Sequence, residues 1–248
     1  MKTSENTVLI IGGSAGIGLE IAKQFAALNN KVIITGRDEK RLQETLKQIP
    51  NAIAIPSDVS NPEDVEKLVN KVGIEFPNLN LLINNAGKVF THDLSKDTGT
   101  FEIASEEILT NYLSIIRLNE KLLPLLKKQA EAAIVNVSSV VAFVPNHIAA
   151  TYAASKAALH SYTLALRYTL AKDTQVKVFE LMPPLVNTEF SKEIGGANGI
   201  SPCVVAEDLI TAIGKNEYEI HVGLTAYIYE LSRSSPADAL LAMNAPRN

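Results

Sequence analysis

What most constrains this chain is the alternation of short, continuously apolar runs with longer stretches of helical period. Val8-Leu9-Ile10-Ile11, Leu81-Leu82-Ile83 and Ile134-Val135-Asn136-Val137 are apolar at nearly every position, not at every second one. A strand of that kind is buried on both faces, so helices must cover both sides of its sheet. Strands are expected at Thr7–Ile11, Lys31–Thr35, Ala52–Pro56, Leu79–Asn84, Ala132–Ser138, Val176–Met182 and Tyr218–Val222. Helices are expected between them, at about 17–29, 39–49, 62–75, 105–129, 151–172 and 206–215, with a terminal segment from about 224 to 248. Such alternation builds a parallel sheet through βαβ units. No Pro-, Gly- or Ser-rich linker and no repeat divides the chain, so residues 1–248 are read as a single domain.

Two connections are longer than a tight strand-to-helix link. They run over Gly87–Ala104 and Pro183–Val205, and the second contains Gly195-Gly196-Ala197-Asn198-Gly199. A loop of that length is either a surface excursion or a lid over a ligand.

Charge and cysteine content exclude several partners. With 23 Lys+Arg against 27 Asp+Glu the formal charge is −4, and no basic run is present. A nucleic acid or an anionic membrane needs a dense positive surface, so neither is expected. The lone Cys203 forms no internal disulfide, and no Cys/His set has metal-ligand spacing, so no metal is expected. The polar start, Met1 to Thr7, and the short apolar run after it do not resemble a signal peptide, and no stretch reaches membrane-span length. The expected compartment is the cytoplasm.

The first strand runs into Gly12-Gly13-Ser14-Ala15-Gly16-Ile17-Gly18, followed by Leu19-Glu20-Ile21-Ala22-Lys23-Gln24-Phe25 with helical period. Glycines let backbone amides approach a pyrophosphate, and the helix N-terminus adds partial positive charge. A tight turn without any ligand is the competing reading. About 20 residues on, a dinucleotide site reads the adenosine ribose. Here the second strand ends in Thr35-Gly36-Arg37-Asp38. Arg37 offers a planar cation suited to a 2′-phosphate, which favours NADP(H); Asp38 is either an NAD-type carboxylate or the N-cap of the next helix. Asp58 is placed to meet an adenine amine, or simply forms a turn.

The most informative segment is Ser138-Ser139 at the end of the fifth strand, with Tyr152-Ala153-Ala154-Ser155-Lys156 opening a helix. Spacing i, i+4 puts Tyr152 and Lys156 on one helical face. A neighbouring ammonium is expected to lower the phenol pKa and so prepare Tyr152 for proton exchange with a substrate oxygen. Ser139 is placed to hold that oxygen.

Taken together, these motifs make the chain resemble the short-chain dehydrogenase/reductase family, in its small single-domain branch, up to about Thr188. Gly12, Gly16 and Gly18 match the glycine turn, with Ser14 and Ile17 inside it; Asp58-Val59 matches the adenine-binding pair. Asn85, Ala86 and Gly87 lie in the Asn-Asn-Ala-Gly motif, Asn111 matches the catalytic asparagine, and Ser139, Tyr152 and Lys156 match the other catalytic residues. Val186 and Thr188 match positions that touch the nicotinamide half. The resemblance implies a Rossmann-type, doubly wound parallel seven-stranded sheet with helices on both faces, and hydride transfer between NADP(H), or alternatively NAD(H), and a small carbonyl or alcohol. It implies that Tyr152 moves the proton, Lys156 binds the ribose and tunes Tyr152, Asn111 holds a relay water and Ser139 orients the substrate. A non-catalytic NADP(H)-binding sensor and a same-fold epimerase are the alternatives. The first has no need of a proton donor, and the second usually adds a C-terminal domain.

Three positions depart from the family pattern. Ile11 stands where Thr is common, Pro183-Pro184 replaces Pro-Gly, and the closing Asp-Gly-Gly signature is missing. Val141, Phe143, Val144, Leu185 and Phe190 are candidates for an apolar substrate pocket or for core; His92 and His147 are rim candidates, or solvated loop histidines. The expected helix Ser105–Gln129 has an apolar sector wider than one sheet contact needs. The resemblance assigns the surplus to a homodimer or homotetramer contact with the helix Thr151–Lys172; a covering by the loop after Gly87 is the competitor.

Overall fold

The computed structural model describes residues 1–96 and 98–245. Seven strands form one parallel sheet: β1 (Thr7–Ile11), β2 (Lys31–Gly36), β3 (Ile53–Pro56), β4 (Leu81–Asn84), β5 (Ala132–Val137), β6 (Val176–Met182) and β7 (Glu219–His221). Their spatial order is β3-β2-β1-β4-β5-β6-β7. The order reverses between β1 and β4, and a doubly wound sheet opens a crevice at the carboxyl ends of its strands at that switch point. Ile11 stands beside both Thr35 and Asn84, which brings the glycine turn, Gly36 and Asn85 to one edge.

The continuous apolar runs are explained by two cores. Val8, Ile10, Ile34 and Phe179 face α1 (Gly16–Ala27), α2 (Glu39–Leu46) and α7 (Pro202–Lys215). Leu9, Ile11, Ile33 and Ile134 face α3 (Pro62–Glu75), α5 (Ser114–Leu126) and the end of α6 (Ala150–Asp173). Successive residues of each strand thus enter opposite layers, and both layers are apolar.

Many expected boundaries shift by one to three residues, and three expected segments differ further. The helix expected from Ser105 begins earlier, as α4 (Thr100–Ile108), and passes through a π turn at Leu109–Leu113 before α5. Periodicity is blind to that one-residue insertion. Helix α7 starts at Pro202, capped by the Ser201 hydroxyl on Cys203 N, so the preceding long loop ends four residues sooner than its apolar period indicated. The terminal segment is two helices, α8 (Thr225–Ser234) and α9 (Pro236–Asn244), parted where Pro236 restarts the chain. Both pack on the segment after Ser139, through Val140, Val144, Ile228, Ala239 and Met243. No helix among the described residues is long and apolar enough to cross a membrane.

Candidate active site

A cleft of about 510 Å³ lies at the switch point. Its floor is the glycine turn. Gly12 N and Gly13 N donate to Thr35 O at 3.1 and 3.0 Å, and Thr35 Oγ1 stands 3.4 Å from Gly12 N. Thr35, from the neighbouring strand, therefore ties down the turn that Ile11 leaves without a local hydroxyl. Gly12 and Gly16 have φ of +78° and +53°, the left-handed region. Gly18 does not line the cleft: a Cβ there would lie 2.1 Å from Gly12 O and 2.5 Å from Asn85 Nδ2. Asn85 Nδ2 donates to that same carbonyl at 2.8 Å. Gly18 and Asn85 thus draw α1 against the ends of β1 and β4.

The fit of this floor to a dinucleotide shows at the start of α1. Ala15 gives α1 no side-chain bond, its first turn holds no acid, and Ala15, Gly16 and Ile17 all line the cleft. The α1 amides therefore face the cleft uncompensated, as a pyrophosphate requires. Ser14 lines the cleft beside them.

At the β2 and β3 end the cleft is lined by Arg37, Asp38, Asp58 and Val59. Asp38 is the N-cap, accepting from Arg41 N at 3.1 Å. Asp58 Oδ1 accepts from Ser60 N and Oγ at 2.9 and 2.6 Å, so it forms a turn while lining the cleft. Burial pushes its carboxyl upward, but the Ser60 hydrogen bonds and then the Arg37 and Lys88 charges hold it below its usual value. Sequence reasoning missed Arg41, whose Nη2 pairs with Glu189 Oε2 at 2.5 Å. The long connection after β6 is folded, not open: Val186 pairs with Ile200, short 3-10 turns follow at Glu189–Ile194 and Gly196–Asn198, and Val186, Thr188, Glu189, Phe190 and Ile194 line the cleft. That placement fits the lid reading. Thr188 stands over the turn, where a Cβ on Gly16 would meet its Cγ2 at 3.1 Å.

Ser139, Tyr152 and Lys156 converge beside Ala86 and Gly87. Tyr152 and Lys156 are 8% and 3% exposed. Lys156 Nζ donates to Val137 O at 2.8 Å and lies 5.7 Å from the Tyr152 ring centroid. The expected lowering of the phenol pKa is not what the geometry gives. Burial pushes the Tyr152 phenol well above its ordinary value; the neighbouring Ser139 hydroxyl opposes this, and the Glu107 charge adds to it. The lysine is itself desolvated: burial brings it down to about 8, against the pull of the Glu180 carboxylate. Hydration lost by both groups outweighs their mutual effect.

Asn111 is fully buried in the π turn, behind the cleft surface. Its Oδ1 accepts from Lys88 N at 2.7 Å, and its Nδ2 donates to Lys88 O and Ser155 Oγ, both at 2.9 Å. The side chain thereby sews the loop after Gly87 to α6. Glu107 was also missed by the sequence reading. It is wholly buried and accepts from Phe90 N at 2.8 Å; burial raises its carboxyl against the nearby Thr151 hydroxyl and the Phe90 hydrogen bond. Its position in an apparently exposed acidic stretch, Glu106-Glu107, hid it. His92 is buried, not solvated at the rim, and donates its amide to Ile148 O. His147 is exposed and bonded to Asn244. No group of three or more possible metal ligands occurs among the described residues.

A family model described as short chain dehydrogenase matches residues 6–198. The chain is 44% identical over 201 residues to an uncharacterized oxidoreductase, DltE, of Bacillus subtilis, covering 81% of this chain and 79% of that protein. It is 31% identical over 244 residues to 11-beta-hydroxysteroid dehydrogenase-like 2 of Arabidopsis thaliana, covering 92% and 77% of the two chains. Among solved structures, a short chain dehydrogenase of Burkholderia cenocepacia in complex with NADP superposes with a TM-score of 0.87 at 24% identity over 100% of both chains. One of Burkholderia phymatum in complex with NAD gives 0.87 at 21% identity, covering 100% of this chain and 98% of the other. These two likenesses are of fold.

Proposed function

The chain belongs to the short-chain dehydrogenase family, and from that premise we propose that it is an NADP(H)-dependent oxidoreductase acting on a ketone, an aldehyde or a secondary alcohol. The observation that carries the proposal is the buried Tyr152 phenol together with Ser139 and Lys156 in one cleft with an uncapped glycine-turn helix.

The nicotinamide cofactor, when bound, supplies the hydride donor or acceptor. The α1 amides hold its pyrophosphate, Arg37 meets a 2′-phosphate, Asp58 with Val59 meets the adenine, and Asn85, Ala86, Gly87, Val186 and Thr188 line the nicotinamide half. Ser139 orients the substrate oxygen and Tyr152 exchanges a proton with it. Burial holds the proton on the Tyr152 phenol at neutral pH, where it can be handed to an alkoxide developing on the substrate oxygen. Lys156 binds the ribose. The Asn111 amide is already committed to Lys88 and Ser155, so a relay water in this reading rests on the backbone of the π turn.

With Asp38 Oδ1 engaged at a helix N-terminus and Arg41 paired to Glu189, Arg37 is left as the residue that reads the ribose. Replacing Arg37 by Ala is expected to weaken NADPH binding by about tenfold or more, the worth of a charge-assisted bond, and to leave NADH binding unchanged. Equal losses for both would overturn the preference.

Lys156 gives a pH signature. Its folded pKa of about 8 lies below the ordinary lysine value of 10.5, so between these the unfolded chain holds more protons. Stability contributed at this position therefore rises with pH across that window, and below it the full cost of the buried ammonium is present. The urea midpoint of the wild type relative to Lys156→Met is expected to be level below about pH 8 and to climb from there toward pH 10; a flat difference would contradict a buried ammonium.

For assembly, Leu113, Leu164 and Tyr168 leave apolar surface on the π turn and α6 at 43%, 39% and 70% exposure. This supports a homodimer or homotetramer built on that face.

A further inference from the structure

The cleft is divided by charge. Arg37, Asp38, Arg41 and Asp58 stand at the β2 and β3 end, with Glu189 paired to Arg41. Among the described residues beside Ser139 and Tyr152, the cations are Lys88, matched by Glu106 at 2.9 Å, and Lys156, directed at Val137 O. The rest of that wall includes Val140, Val141, Leu185, Phe190, Ile194 and Met243, and none of the described residues there is ionisable. Phe190 is 44% exposed, with its ring 6.0 Å from the Tyr152 ring.

We propose that the substrate is an uncharged carbonyl compound with a bulky apolar substituent, and that Met243 on α9 is the residue that selects for it. This rests on the oxidoreductase reading above. An apolar group laid against Phe190 and Met243 removes surface from water on both sides. A carboxylate in the same place would lose hydration with no unmatched cation to meet it.

Met243 is tied to the catalytic segment. It packs on Val140 and Val144, the turn that follows Ser139. Its neighbour Asn244 donates to Pro145 O at 3.0 Å and accepts from His147 N at 2.8 Å, pinning α9 against the same turn. Met243 is also the one described cleft residue beyond residue 198, where the family match ends. The glycine turn, the catalytic set and the post-β6 wall all fall inside the match. What α9 adds thus lies outside the matched family core, and an unbranched thioether is a shape-adapting wall.

The test compares wild type, Met243→Ala and Met243→Leu on straight-chain ketones of increasing length, their branched isomers and a keto acid of matched length, with NADPH. Calorimetry of a secondary alcohol and a matched carboxylate, on protein loaded with NADP⁺, gives a readout independent of turnover. In the wild type, kcat/KM is expected to rise with chain length and to fall for the keto acid by about a hundredfold or more, with the carboxylate failing to bind. Met243→Ala should raise the branched-to-straight preference by about tenfold, in KM and not in kcat, with NADPH affinity unaltered. Met243→Leu, which keeps the volume and helix packing, should retain the wild-type order. Turnover that favours the keto acid, or branched-to-straight ratios untouched by Met243→Ala in a protein that melts normally, would overturn this inference alone. No nicotinamide turnover with any compound would overturn it together with the oxidoreductase reading.

Discussion

Replacing Tyr152 by Phe is expected to reduce turnover by about 100- to 10,000-fold, the range that a positioned general acid supplies, while NADPH binds as before. The substitution removes one oxygen and keeps the ring, so the packing against Phe190 at 6.0 Å and the burial of α6 are retained. Ser139, deprived of the phenol, still donates to Pro183 O at 3.4 Å and accepts from Val141 N at 3.3 Å. A fall in kcat with unchanged fold and cofactor affinity therefore reports the proton transfer. Lys156 cannot take the place of the phenol, because its ammonium is turned to Val137 O. Turnover near the wild-type rate would remove Tyr152 from the chemistry.

Gly18→Ala should have the largest effect on the protein itself. The new methyl would sit 2.1 Å from Gly12 O and 2.5 Å from Asn85 Nδ2, two atoms already bonded to each other. Gly12 O is backbone and the Asn85 amide is held by its bond to it, so α1 must be levered off the strand ends. Overpacking of this kind costs about 1–3 kcal/mol or more. Because the moved element is also the anion-binding helix, cofactor affinity should fall along with the urea midpoint. Gly73, inside α3, is the control: a Cβ there meets nothing within 4 Å. Gly73→Ala should stabilise by about 0.5–1 kcal/mol, the helix preference for Ala over Gly, and leave binding intact. Equal behaviour of the two variants would contradict a steric role for Gly18.

The parallel sheet was legible because its signal is a composition of whole strands: Val8 to Ile11 has no polar face to show, and both sides of β1 prove to be core. The cleft was legible for a similar reason, since Gly12, Ser139, Tyr152 and Lys156 carry motif spacing. Other features depend on tertiary distance, which spacing does not encode. The Thr35 bonds that tie down the glycine turn come from the next strand, and Arg41 meets Glu189 from 148 residues away. Glu107 reads as one of two surface acids until the π turn and the Phe90 amide bury it. The phenol shift was misjudged because spacing predicts the Tyr152–Lys156 neighbourhood but not the loss of water around both. Met243 lies in a segment with no motif at all and is placed by the packing of α9.

The central claim is that this cleft moves a hydride between NADP(H) and a carbonyl or alcohol carbon. Its most direct test is a panel of carbonyls and secondary alcohols, followed by the nicotinamide absorbance with NADPH and NADH in parallel. The predicted result is stoichiometric loss of the reduced-nicotinamide signal on adding a carbonyl, faster with NADPH than with NADH and abolished in Tyr152→Phe. Tight NADPH binding without turnover of any member of the panel would contradict the claim and leave a cofactor-binding sensor as the better account.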